Sequence, residues 1–345
     1  MRIEAVKLEG EDQVVLPQLQ VADVAQLVNS EVFTWIDISI SKADTEQFKT
    51  LMIDDLDFHP KTVEDCLELT THLQAKMDEE QEYKFISFLY FEGNPREQLV
   101  VRELNIYFSR TYVITVHSHD IENFSKLFRK PPRHIVEYRE RAILFLHHII
   151  DMLTDSYTGT LRQIQSYTDE LEFEVFDAKR PRLRANPFSR RKDTTTDMKF
   201  ILRSRQSLVM MRRTLSSESS LLNQIIREYN YDGAPESSEE IAIYFSDIRD
   251  HVLNYLEIIE SEDRSLNHVM EVHSLITGYQ TNEKLYILTI MSTLMLPLTL
   301  ITGFWGMNFD NLWWNHTPNG IYMVALLMLA VTVSLIAFFR NRNWI

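Results

Sequence analysis

Gly306-Met307-Asn308 sits inside a run with no charged residue, from Leu285 to Phe309. A glycine at the end of an apolar helix breaks the backbone. The Asn308 carboxamide beyond it offers a neutral oxygen to a cation. Upstream, Asn282, Leu285, Leu288, Ser292, Leu296 and Thr299 step by 3, 3, 4, 4 and 3 residues and so share one helical face. Polar groups in an apolar span turn toward a cavity or a partner. The set therefore reads as the lining of a water-bearing path, with the amide at its mouth. Leu288 and Leu296 would form apolar rings that close it by dewetting.

Such a path needs spans to hold it. Leu285 to about Trp305 and Gly320 to Phe339 each reach the roughly 20 apolar residues that cross a bilayer. Lys284 precedes the first span and Arg340 and Arg342 follow the second, while residues 306–319 between them contain no Lys or Arg. The positive-inside rule places both termini in the cytoplasm and the loop outside. No apolar leader opens the chain, so the first 280 or so residues are expected to remain cytoplasmic. Two helices cannot enclose water, so several copies must supply the path. The net charge of −15 argues against nucleic acid as a partner, because phosphate binding requires Lys and Arg. The single cysteine, Cys66, excludes an internal disulfide framework and a thiolate zinc cluster. No motif supports an enzyme.

Gly306-Met307-Asn308 after such a helix resembles the CorA family of Mg²⁺ channels. The likeness extends over Asn282-Glu283-Lys284-Leu285, Leu296-Pro297-Leu298-Thr299 and the basic tail Arg340 to Ile345. The resemblance implies a homopentamer that admits Mg²⁺, with Co²⁺ or Ni²⁺ as further passengers. Asn282, Leu288, Leu296, Thr299 and Asn308 would line its pore, and regulatory Mg²⁺ would sit between subunits at Asp65 and Asp247, with Glu64 and Asp250 nearby. Mg²⁺ gives up its waters reluctantly, so a ring of Asn308 carboxamides suits a hydrated ion. Two departures stand out. Trp305 replaces the usual Tyr, and Leu312-Trp313-Trp314-Asn315-His316 replaces an acidic loop, leaving Asp310 as the only external acid.

The expected fold is an α+β membrane protein, mostly helical. Residues 1–134 form a cytoplasmic αβα domain, as the resemblance implies. Strands are expected at Phe33 to Ile38, Tyr83 to Phe91, Leu99 to Phe108 and Tyr112 to His117, and helices at Asp44 to Leu56 and Thr62 to Leu69. Gly93-Asn94-Pro95 suggests a hairpin connection. Residues 135–281 form a long helical stalk: a helical hairpin over 135–230, then the cytoplasmic part of the pore helix over 237–281. The hairpin's tip, residues 179–192, carries seven basic residues and reads as a solvated loop or a contact for anionic lipid. Ser237-x-x-Glu240 has the form of a capping box. Phe245, Ile248, Val252, Tyr255 and Ile259 form a seam that falters at Glu262 and resumes at Leu266, Val269 and Ile276. One helix from about Ser238 to Thr302 would span about 100 Å. Residues 282–345 form the transmembrane hairpin: 285–305, an external loop at 306–319, 320–339, and a basic tail at 340–345.

Other constellations are weaker. His117-Ser-His119-Asp120 reads as a surface turn rather than a metal site, His147-His148 lie on adjacent helix faces, and Cys66 reads as a small buried residue. Two rival functions remain: a zinc transporter of the related ZntB type, against which Met307 argues, and a membrane-tethered sensor or adapter without transport, against which Thr299 and Asn308 argue. The expected location is the cell (inner) membrane.

Overall fold

The computed structural model describes residues 1–9, 12–67, 74–80, 82–95, 98–121, 124, 127, 142–177, 194–230, 236–307 and 319–342. They divide into two compact units, Met1–Val269 and Met270–Ile345. The division falls within one continuous helix.

A seven-stranded sheet forms the centre of the first unit. Its strands are β1 (Arg2–Glu9), β2 (Asp12–Leu16), β3 (Thr34–Ser39), β4 (Lys76–Glu79), β5 (Lys84–Asn94), β6 (Gln98–Phe108) and β7 (Tyr112–His117), ordered β2-β1-β3-β7-β6-β5-β4. Only β3 and β7 pair in parallel. β3 and β7 are central and buried on both faces, which explains their mostly apolar, aromatic and β-branched character. Ile36, Ile38, Ile114, Val116, Phe85 and Tyr107 point to one face. There they pack with Val24 of α1 (Val21–Val28), Phe48 of α2 (Thr45–Lys49) and Val63 and Cys66 of α3 (Pro60–Leu67). Trp35, one residue out of phase, points to the other face against Phe145 of α4 (Ala142–Asp177). α5 (Thr194–Tyr229) also covers this face, against β4, β5 and β6. The result is an αβα arrangement.

The four expected strands are present, and β5 and β6 form the expected hairpin, in register from Lys84↔Phe108 to Asn94↔Gln98. Gly93 is required there: its φ is +100°, and a Cβ would lie 2.4 Å from the Gln98 carbonyl oxygen. Four elements were not anticipated: β1, β2, β4 and α1. β2 is an edge strand whose Val14 and Val15 remain exposed, so its apolar pattern carries little burial signal. The helix expected over Asp44–Leu56 is instead a 3₁₀ turn (Lys42–Asp44), α2 and a π segment (Thr50–Asp55), which keeps Phe48, Leu51 and Met52 all buried.

α6 runs unbroken from Glu236 to Trp305. It begins before Ser237, so Ser237 lies in its first turn rather than at its cap. Phe245, Ile248, Val252, Tyr255, Ile259, Leu266 and Val269 are buried as the seam requires. Ring contacts of His147 with Tyr244 and Phe245, and a hydrogen bond between the Thr158 and Tyr255 hydroxyls (2.8 Å), set α4 parallel to α6. Arg212–Glu260 and Arg205–Asp263 ion pairs set α5 antiparallel to it. Where the seam falters, half-buried Glu262 is hydrogen-bonded by Thr168 and Gln165 of α4. The second unit contains the end of α6 and α7 (Gly320–Asn341). Both helices are long and apolar enough to cross a membrane, and the most apolar stretch of each is uncovered. The basic segment 179–192 lies outside the described residues.

Replacing Gly93 with Ala is expected to destabilise the first unit by about 1–3 kcal/mol, from the forced positive φ and the clash with Gln98. A lowered thermal midpoint of the full chain in detergent checks this.

Candidate ion pathway and cation cluster

The membrane part of α6 carries two opposed stripes. Asn282, Leu285, Leu288, Ser292, Leu296 and Thr299 are all exposed, Leu288 at 61% and Leu296 at 70%. Ile290, Leu294, Pro297, Leu298, Ile301 and Trp305 are only half-exposed. Ile290, Leu294, Leu298 and Ile301 are each two residues from a member of the first stripe, which is about 200° around a helix. The helix is therefore partly covered on its purely apolar side and open on the side that holds its polar groups.

The hydroxyls on this helix bond back to the preceding turn: Thr289 to Leu285 O, Thr293 to Thr289 O and Thr299 to Met295 O (2.8–2.9 Å). This spends the Thr299 hydroxyl hydrogen and leaves its lone pairs to face outward as acceptors, the polarity a cation requires. Pro297 supplies no N–H to the Thr293 carbonyl, so the helix ladder is interrupted beside the stripe. At the end of the helix, Gly306 N–H donates to Thr302 O (2.9 Å) and Met307 N–H to Phe304 O, tightening the last turn. Gly306 and Met307 are exposed beyond it, and Asn308 lies outside the described residues.

The expected regulatory acids occupy separate places in the single chain. α3 opens on Pro60, where a missing N–H is tolerated, and His59 Nδ1 accepts from Lys61 N–H (3.2 Å). Burial of Thr62, Val63 and Cys66 turns Glu64 outward and leaves Asp65 half-buried. Asp65 is already paired: Lys76 Nζ donates to its Oδ2 at 2.5 Å and lies 3.4 Å from Asp78. Burial lowers the pKa of the Lys76 ammonium, but Asp65 and Asp78 more than offset this and hold it above its ordinary value. Asp247 and Asp250 are exposed on α6, and Asp250 accepts from Arg249 (2.9 Å). Within one chain these four acids do not form a group of three ligands.

A different group does form. Asp151 and Asp155, one turn apart on α4, meet His251 of α6, with their ligand atoms all within 4.8 Å of one another. No other group of three potential ligands of this kind occurs among the described residues. Burial and the neighbouring Asp155 charge raise the Asp151 carboxyl above the usual range. Burial lowers His147 and His148, which keeps these nearby imidazoles neutral at neutral pH. A cation seated among Asp151, Asp155 and His251 would relieve the carboxylate repulsion. The sequence does carry a signal for this group: His147, Asp151 and Asp155 recur every fourth residue, as do Asp247 and His251. Reading His147 only against His148 missed it. Cys66 is buried, as expected, with its thiol 3.3 Å from the Tyr107 hydroxyl. His117 is not in a surface turn: it is buried, with Nε2 3.1 Å from Asp37 Oδ2, because β7 is central.

A family model for CorA-like Mg²⁺ transporter proteins matches residues 30–341. The chain belongs to this family. Within it, the Bacillus subtilis protein YfjQ is 29% identical over 90% of this chain and 89% of its own length. The cobalt/magnesium transport protein CorA of Thermotoga maritima is 25% identical over 94% of this chain and 87% of its own. The complete structure of the CorA magnesium transporter from Methanocaldococcus jannaschii superposes with a TM-score of 0.76 at 20% identity, covering 100% of this chain and 99% of that one. The CorA membrane-protein fold is thus shared along the whole chain.

Changing Asp155 to Asn in this CorA-family protein is expected to remove a like-charge contact with Asp151. Without divalent ions the variant should gain ~0.5 kcal/mol of stability, and added Co²⁺ should raise its thermal midpoint less than that of the wild type. Thermal scans in chelator and in Co²⁺ check both parts.

Proposed function

We propose that this chain forms a homopentameric channel for Mg²⁺ influx down the electrochemical gradient, with Co²⁺ and Ni²⁺ as further passengers. The observation that carries the reading is the pair of opposed stripes on α6: its polar side is the open one. Five copies bring Asn282, Leu285, Leu288, Ser292, Leu296 and Thr299 around one axis, with Gly306, Met307 and Asn308 as the selectivity filter. Asn308 carboxamides hold the ion through its waters, and Leu288 and Leu296 gate by dewetting. Lys284, Arg340 and Arg342 support a cytoplasmic position for both termini in the cell membrane. The domain boundaries that fit this reading are 1–134, 135–281 and 282–345.

Gating is assigned to intracellular Mg²⁺ bound between neighbouring copies, with Asp65 and Glu64 of one facing Asp247 and Asp250 of the next. Lys76 already neutralises Asp65, so an ion must compete with an ammonium there. This supports weak binding, suited to an abundant ion. Asp151, Asp155 and His251 add a second cation site near Asp247 in sequence. Its imidazole favours transition metals over Mg²⁺.

The test is flux into proteoliposomes with Mg²⁺, Co²⁺ and Zn²⁺ in parallel. Mg²⁺ uptake is expected, and Asn308→Ala should reduce it tenfold or more, since a hydrogen bond to a charged group contributes roughly 1.5–3 kcal/mol. Uptake of Zn²⁺ alone would move the chain to the zinc-transporter reading. No flux from a folded pentamer at low Mg²⁺ would leave a non-transporting sensor.

A further inference from the structure

Glu218 of α5 is fully buried (0% exposed), and among the described residues no basic side chain pairs with it. Its Oε1 lies 2.9 Å from the Tyr157 hydroxyl oxygen of α4, and Oε2 has no hydrogen-bond partner among the described residues. The same Tyr157 oxygen lies 2.6 Å from the Leu89 carbonyl oxygen of β5. A tyrosine hydroxyl has one hydrogen, and a carbonyl oxygen has none. If Tyr157 donates to Leu89, the hydrogen between Tyr157 and Glu218 must come from Glu218. If Tyr157 donates to Glu218 instead, two oxygens face each other at 2.6 Å with no hydrogen between them. Both contacts are satisfied only when Glu218 is a carboxylic acid. We infer that Glu218 is a proton-binding site, held protonated through neutral pH and donating to Tyr157, and that this proton fastens α5 to α4 and the sheet.

The surroundings agree. Among the described residues of α4, Tyr157 is the titratable group in contact with Glu218. Tyr255 of α6 faces Tyr157 (ring centroids 6.4 Å apart), and β5 brings the Leu89 carbonyl and the non-titrating Phe91 ring (4.9 Å between centroids) against Tyr157. Burial drives the carboxyl well above its ordinary 4.5. The folded chain thus binds this proton more tightly than the unfolded chain. The resulting stabilisation is complete below the unfolded carboxylate value and is lost as pH rises toward the folded one. Across that window the folded-to-unfolded ratio falls by up to about tenfold per pH unit.

The test compares full-length wild type with Glu218→Gln, a neutral isostere, in detergent. From mildly acidic to mildly alkaline pH, the thermal midpoint of the wild type is expected to fall relative to the variant. In D₂O at neutral pD, the wild type should show a carboxylic-acid carbonyl band in the infrared that weakens in Glu218→Gln. Parallel pH dependence, or the same infrared bands in both proteins, would overturn the inference. If Gln is not tolerated, Glu218→Leu serves the same two comparisons.

Discussion

A bilayer core offers no water, so every polar group that enters it needs a partner from protein or from water held by protein. This constraint governs α6. Its backbone is satisfied internally except at Pro297, and its threonine hydroxyls bond to its own carbonyls. Asn282, Ser292 and Thr299 nevertheless lie on the open side, opposite the half-exposed Ile290–Leu294–Leu298–Ile301 side. A lone helix pair in lipid would bury this polar side against hydrocarbon. In the proposed assembly, copies of the chain arranged with these sides inward would remove the conflict and, in doing so, form the path.

The cytoplasmic length of α6 is subject to a different discipline. Its seam is clamped by α4 on one flank and α5 on the other, and both helices rest on the sheet. Polar groups interrupt this clamp at a few chosen points. Glu262 breaks the seam where Thr168 and Gln165 can receive it. Asp151 and Asp155 approach His251 where a cation can offset their repulsion. Glu218 is buried where only a proton can neutralise it.

Much of this was legible from residue order. Both spans, the polar stripe and the buried seam follow from periodicity, and β3, β5, β6 and β7 follow from their aromatic and β-branched content. The parts that were not legible share a cause: they depend on pairs far apart in sequence. Asp151 meets His251 only because α4 lies parallel to α6. Lys76 neutralises Asp65 only because β4 returns beside α3. His117 looked like part of a turn, yet a central strand buries it against Asp37. The π segment at Thr50–Asp55 reflects a core that must bury Phe48, Leu51 and Met52 together, which overrides simple helical spacing.

In the proposed channel the polar side of α6 faces its own copies across a wet axis. The most direct test places single cysteines on each stripe in a Cys66→Ser background, at Ser292 and Thr299 against Leu294 and Ile301. In native membranes, the first pair should form disulfides between copies and react with a small water-soluble thiol reagent, while the second pair should do neither. Reaction and cross-linking confined to Leu294 and Ile301 would contradict the account and turn the helix around.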